Sequence, residues 1–120
     1  LIILSAKLKG VLTAKNLIEK KQNELLEKKK ESQPSQVKTC GSTFKNNKDK
    51  KAWMLIKEAG CENFFVGDAK ISKRHCNFFI NNGKAKSADI EKLINKVKKE
   101  VQVKTGVNLD LEIKIIGYEK

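Results

Sequence analysis

Two adjoining stretches decide the fold class: Ser87-Ala-Asp-Ile-Glu-Lys-Leu-Ile-Asn-Lys-Val-Lys-Lys-Glu-Val-Gln-Val-Lys-Thr-Gly106, and directly after it Val107-Asn-Leu-Asp-Leu-Glu-Ile-Lys-Ile115. In the first, Ile90, Leu93, Ile94, Val97 and Val101 recur at helical spacing and form one apolar stripe. Ser87 stands where an N-cap is expected and Gly106 just past the end. In the second the period drops to two. Leu109, Leu111, Ile113 and Ile115 alternate with Asp110, Glu112 and Lys114, which reads as a strand with one buried face and Glu112 on the other. Helices and strands in irregular order indicate an α+β fold, a small mixed or antiparallel sheet packed with helices.

Upstream the same rules apply. A helix is expected from about Lys50 to Ala59, burying Ala52, Trp53, Leu55 and Ile56 and stopped by Gly60. Phe64–Val66 and Asn77–Ile80 read as short strands, the second ending in the turn signal Asn81-Asn82-Gly83. Leu1 to Lys9 reads as a strand that ends at Gly10, because Leu4, Ala6 and Leu8 alternate with Ser5, Lys7 and Lys9. Thr13 can cap a helix carrying Ala14, Leu17, Ile18, Leu25 and Leu26. Lys28, Lys29 and Lys30 in its last turn complement the negative end of the helix dipole, a reading preferred to a docking patch. Glu31-Ser-Gln-Pro-Ser-Gln36 holds the only Pro and reads as a linker, which divides the chain into residues 1–35 and 36–120.

With 120 residues the chain suits a single core of ordinary domain size. The formal net charge of +12 invites an anionic partner. However, 26 residues are basic and only Arg74 is Arg. Arg is the preferred fork for phosphates and base edges, so a basic nucleic-acid-binding module is the alternative reading and not the first. Cys40, Cys61 and Cys76 are odd in number and contain no Cys-x-x-Cys pair, which points to buried free thiols in a reducing cytoplasm. With His75 they are irregularly spaced for zinc, and no metal site is expected. No apolar run approaches the length of a membrane span, and no Gly-rich phosphate loop occurs. The chain opens at Leu1 inside an apolar run with no initiator Met, which suggests a fragment.

Four segments carry a more specific message. Cys40-Gly-Ser-Thr-Phe-Lys-Asn46, Ala52-Trp-Met-Leu-Ile-Lys-Glu-Ala-Gly60, Val66-Gly-Asp-Ala-Lys-Ile-Ser-Lys-Arg-His-Cys-Asn-Phe-Phe-Ile-Asn-Asn-Gly83 and Gly106-Val-Asn-Leu-Asp-Leu-Glu-Ile-Lys-Ile-Ile-Gly117 follow one another in that order. Together they resemble the C-terminal, substrate-binding part of the MurB family of UDP-N-acetylenolpyruvoylglucosamine reductases. Leu1 to Ser35 resembles the end of that family's flavin-binding region, whose earlier Gly-rich loops have no counterpart here.

The resemblance implies a peptidoglycan-synthesis enzyme in which NADPH reduces FAD and the flavin passes hydride to C3 of an enolpyruvyl group while C2 takes a proton. It implies Ser42 as the proton donor and Glu112 as the active-site carboxylate, held with the substrate or acting as a protonated donor if buried. The bland alternatives are a Ser42 that caps the turn after Gly41 and a solvated strand Glu. Lys45 and Asn46 are implied to contact the UDP-sugar, and His75 to face the substrate, against an ordinary structural role for each. Gly67 and Ala69 are implied to keep a loop small enough for close approach of flavin or substrate. Ser42 and Glu112 are therefore expected to converge on one pocket fringed by Asn46. FAD and NADPH are expected to be bound mainly by an absent N-terminal part, so that the fragment alone is inactive. The full-length enzyme is expected to be monomeric, with no nucleic acid or membrane partner. Asn47, Glu62, Asn63 and Asp68 depart from the family's usual Pro, Lys-Gly and Gly, and Lys70 and Lys73 are candidates to compensate.

Overall fold

A computed structural model describes residues 2–34 and 36–117. It divides into two compact units, Leu1–Glu31 and Ser32–Lys120.

The first unit contains an exposed segment without regular structure and the helix α1, Lys15–Ser32, which runs one residue past the division. The expected strand at residues 2–9 does not form; its Leu1 end lies outside the described residues. A strand needs a partner for its N–H and C=O groups, and among the described residues none pairs with it. Thr13 does not cap α1 either: Ala14 is the residue before the helix, and the Thr13 hydroxyl donates to the Val11 carbonyl at 3.2 Å. The helix starts from the Ala14 carbonyl, which accepts from the Leu17 and Ile18 amides. None of its residues is buried. Lys30 pairs with Glu27 at 2.8 Å in the last turn, an exposed pair of small energetic weight.

The second unit is α+β, as the periodicities require. Strands β1 (Lys38–Ser42), β2 (Phe65–Val66), β3 (Ala69–Ile71) and β4 (Phe78–Asn81) form an antiparallel sheet in the order β1-β4-β3-β2. Helices α2 (Ala52–Glu58) and α3 (Ser87–Thr105) pack on each other, and α3 packs on β2 and β3. The helical stripe meets the sheet as expected. Leu93, Ile94, Val97 and Val101 are buried against Ala69, Ile71 and Phe79, and Phe44, Leu55, Ile56 and Leu109 complete the core. Each large side chain so buried contributes about 1.5–3 kcal/mol, which is what holds these short strands in place.

Three expectations change. Trp53 is not in the core but 37% exposed on α2. Lys86 takes the N-cap position of α3, and the Asp89 carboxylate accepts its amide at 2.9 Å, while the Ser87 hydroxyl donates to Glu91. The stretch Leu109–Ile115 forms no ladder, only an isolated bridge between Leu111 and Phe44. Its apolar alternation still places Leu109 in the core and packs Leu111 and Ile113 against it, whereas Ile115 is exposed. A period of two records which side chains are buried; it does not supply a neighbouring strand. Both helix stops are as expected. Gly60 and Gly106 each have φ +72 and return their amides to Lys57 and Gln102 carbonyls.

Candidate functional site

The segment that carries Ser42 is shaped by a bulge. Thr39 pairs with Ile80 and Ser42 with Phe78, so β1 uses three steps where β4 uses two. The extra residue is accommodated at Gly41, φ +86, where a side chain would be strained. Thr39 closes the kink by accepting the Gly41 amide at 3.2 Å on its hydroxyl. The turn is thus capped by Thr39 and not by Ser42. Ser42 is half-buried, and among the described residues its hydroxyl has no hydrogen-bond partner.

Directly opposed residues of an antiparallel pair point to the same side of a sheet. Phe78 and Ile80 therefore share with Ser42, Thr39 and Lys70 the face opposite the one α3 covers. His75 stands beside this row with its ring edge-on to Phe78, centroids 5.0 Å apart. Its Nδ1 accepts the Asn77 amide at 3.2 Å, so the ring is held as the neutral tautomer with Nε2 as donor. Burial lowers its pKa below the usual 6.5, an effect partly offset by a backbone hydrogen bond.

Glu112 arrives from the far end of the sequence. Phe44 bridges Leu111, and the two bonds flanking that bridge are Lys45 N–H to Asp110 C=O at 2.8 Å and Glu112 N–H to Thr43 C=O at 2.9 Å. Glu112 is thereby fastened to the residue next to Ser42. Its side chain is exposed, so the burial needed to make it a protonated donor is not provided by the described residues. Lys45 is exposed as well. The Asn46 carbonyl oxygen is committed: it accepts the amide of Ala52, first residue of α2, at 3.0 Å, where Lys51 in the N-cap position offers no side-chain bond.

Gly67 and Ala69 have structural reasons to be small. Gly67, φ +53, is the first residue of the two-residue β2–β3 turn, where a type II′ turn calls for Gly. A Cβ there would lie 3.3 Å from an Asp89 carboxylate oxygen. Ala69 is 0% exposed in the core on β3. Both residues thus have packing reasons to be small that call on no ligand. Asp68, the departure beside them, accepts the Lys84 amide at 2.9 Å and ties this turn to the one after β4.

Two adjoining open hollows flank the sheet. One, about 490 Å³, is lined by Trp53, Lys57, Lys73, Arg74 and His75; the other, about 600 Å³, by Gly67, Lys70, Ile80 and part of the same loop. Ser42, Lys45, Asn46 and Glu112 lie outside both. The backbones that carry Ser42 and Glu112 are thus neighbours through the Glu112–Thr43 bond, while neither side chain lines these two cavities. Glu62, where a cation is usual, sits 4.0 Å from Lys57 in an exposed pair. Among the described residues no cluster of His, Cys, Asp or Glu could hold a metal ion, and no helix is long and apolar enough to cross a membrane.

Motif reading missed Asn77. It is 3% exposed and bonds both polar groups of the Phe44 backbone: its Oδ1 accepts the N–H at 2.9 Å and its Nδ2 donates to the C=O at 2.8 Å. The available signal was a single amide at the head of the apolar run Phe78-Phe-Ile80.

The model of a family described as UDP-N-acetylenolpyruvoylglucosamine reductase, C-terminal domain, matches residues 33–116. A UDP-N-acetylenolpyruvoylglucosamine reductase of Pelagibacter ubique is 49% identical over 119 residues, covering 97% of this chain and 39% of the relative. That of a Wolbachia strain from Drosophila simulans is 44% identical over 116 residues, with the same shares covered. The crystal structure of the Thermus caldophilus enzyme (MurB) superposes with a TM-score of 0.72 at 35% identity, covering 84% of this chain and 35% of that one. The chain thus spans well under half the length of these relatives. It belongs to the UDP-N-acetylenolpyruvoylglucosamine reductase family and carries that family's C-terminal domain.

Proposed function

We propose that this chain supplies the substrate-binding and proton-donating half of a reductase that converts UDP-N-acetylenolpyruvoylglucosamine to UDP-N-acetylmuramate for peptidoglycan. The observation that carries the reading is the 2.9 Å backbone bond from Glu112 N–H to Thr43 C=O, which brings the chain segment bearing the candidate carboxylate beside the one bearing the candidate proton donor. The Ser42 hydroxyl, half-buried and unengaged among the described residues, gives the proton to C2 of the enolpyruvyl group. Glu112 orients the reacting end through a hydrogen bond or a water. Lys45 and the Asn46 amide nitrogen, unengaged among the described residues, hold the sugar diphosphate from one side. His75, with Lys57, Lys73 and Arg74 around its hollow, offers cationic and hydrogen-bonding groups for an anionic nucleotide. Lys73 and Arg74 stand in for the cation that Glu62 replaces.

Hydride to C3 is the chemistry of a flavin reduced by NADPH, and both cofactors are assigned to the length of the relatives that this chain does not span. We place the enzyme in the cytoplasm as a monomer, a setting that suits two thiols kept buried and free.

The test is an exchange chimera, the Pelagibacter ubique relative with its matching segment replaced by this chain. Ser42→Ala is expected to slow reoxidation of the flavin by substrate by at least about 100-fold, while reduction by NADPH stays within about 2-fold. Equal losses in both half-reactions would remove Ser42 from the proton-donor role.

A further inference from the structure

Asn77 lies at a point where the sheet lacks a strand partner. Phe44 and Leu111 form a non-hydrogen-bonded pair, since the bonds beside them belong to Lys45–Asp110 and Glu112–Thr43. The N–H and C=O of Phe44 therefore point away from Leu111, toward β4. No backbone ladder meets them there, because the bulge in β1 has ended its pairing with β4 at Ser42. The Asn77 amide takes the place of a strand: it offers an acceptor and a donor at 2.9 and 2.8 Å to the two groups. Its own carbonyl also accepts the Thr43 amide at 2.8 Å. Residue 77 thus makes three hydrogen bonds to residues 43 and 44, and its side chain is 3% exposed. Buried groups of this kind cost free energy when left unpaired, so the clamp is expected to be occupied nearly all the time.

Thr43 bonds Glu112 on its other side, and Lys45 bonds Asp110. Asn77 consequently joins the start of β4 to residues 43–44, which follow Ser42 and whose other side, through Thr43 and Lys45, is bonded to the segment that bears Glu112. We infer that Asn77 is a positioning residue for the reaction proposed above, setting the separation of the Ser42 hydroxyl and the Glu112 carboxylate by clamping the backbone of Phe44. The inference rests on that reading of Ser42. Asn77 itself touches no reacting atom; it acts through the backbone at residues 43–45.

The informative variant is Asn77→Asp, nearly equal in volume. It keeps the acceptor for the Phe44 N–H and turns a carboxylate oxygen toward the Phe44 C=O in place of the donor. Asn77→Ser, which retains a hydroxyl donor, serves in its place if the Asp variant yields no folded amide spectrum. In the 120-residue chain, amide hydrogen exchange at Lys45 and Glu112 should rise at least about 10-fold, while Leu93 and Val97 in α3 keep their protection. In the chimera, reoxidation of the flavin by substrate should slow by about 10- to 100-fold, the penalty of a small misplacement. Reduction by NADPH should be unchanged. Added to Ser42→Ala, the Asn77 change should cost no more than about another 2-fold, because the group it positions is already gone.

Each alternative result is decisive. Effects of the two substitutions that multiply, a loss of α3 protection alongside Lys45 and Glu112, or undisturbed exchange at Lys45 and Glu112 would overturn the positioning role alone. If Ser42→Ala leaves the substrate half-reaction intact, the functional reading falls and the positioning role with it.

Discussion

Replacing Gly67 by Ala tests whether that residue is small because of its own neighbours. Two penalties can be read from the geometry. At φ +53 a side chain enters the left-handed region, at a cost of about 1–2 kcal/mol. The new methyl would also stand 3.3 Å from Asp89 Oδ2 and 3.4 Å from its Cγ. That oxygen is not free to retreat, because it accepts the Lys86 amide at 2.9 Å and so caps α3. Displacing it weakens a cap at about 0.5–1 kcal/mol. The sum is about 1.5–3 kcal/mol, a large share of the stability of a unit this size. Urea denaturation of the 120-residue chain, followed by far-ultraviolet circular dichroism, measures it. A double-mutant cycle with Asp89→Ala separates the two parts. With the carboxylate removed, Gly67→Ala should retain the backbone strain and lose the crowding, a coupling of at least about 0.5 kcal/mol. Additive effects, or a Gly67→Ala cost below about 0.5 kcal/mol, would refute the packing argument and return Gly67 to the list of residues kept small for a ligand.

Two further outcomes follow from the titratable groups. Cys40 is exposed, whereas burial raises the pKa of Cys76 and, helped by the Glu100 charge, pushes that of Cys61 up to about 11. A thiol reagent near neutral pH should modify Cys40 alone until the chain is unfolded, and rapid native-state labelling of Cys61 or Cys76 would contradict their burial. His75 has its pKa lowered by burial, so the unfolded chain binds its proton more readily. Its contribution to stability is full above the unfolded value of 6.5 and is lost as pH falls through the lower folded-state pKa. Between about pH 7.5 and 5.5 the urea midpoint of the native sequence should fall more than that of His75→Gln, and parallel behaviour would show that His75 is not desolvated.

What could be read from residue order alone is what depends on near neighbours in the chain. The stripe Leu93, Ile94, Val97 and Val101, the stops at Gly60 and Gly106, the turn after Asn81 and the α+β class follow from local periodicity and backbone preference, and each is present in the fold. The order of four motifs was enough to indicate the family. Strands β1 and β3 were missed because Lys38-Thr-Cys-Gly-Ser42 and Ala69-Lys-Ile71 hold no run of consecutive large apolar residues like those that mark Phe65–Val66 and Phe78–Ile80. The strand expected at residues 2–9 shows the reverse failure: a period without a partner to pair with. Only the folded chain decides what the candidate site is made of. The bulge at Gly41, the bond that fastens Glu112 to Thr43, the Asn77 clamp on Phe44 and the Asp89 carboxylate against Gly67 each join residues well apart in sequence. Such contacts form because buried N–H and C=O groups must find partners wherever the packed core brings them, and a linear pattern records which residues will be buried without recording whom they will meet.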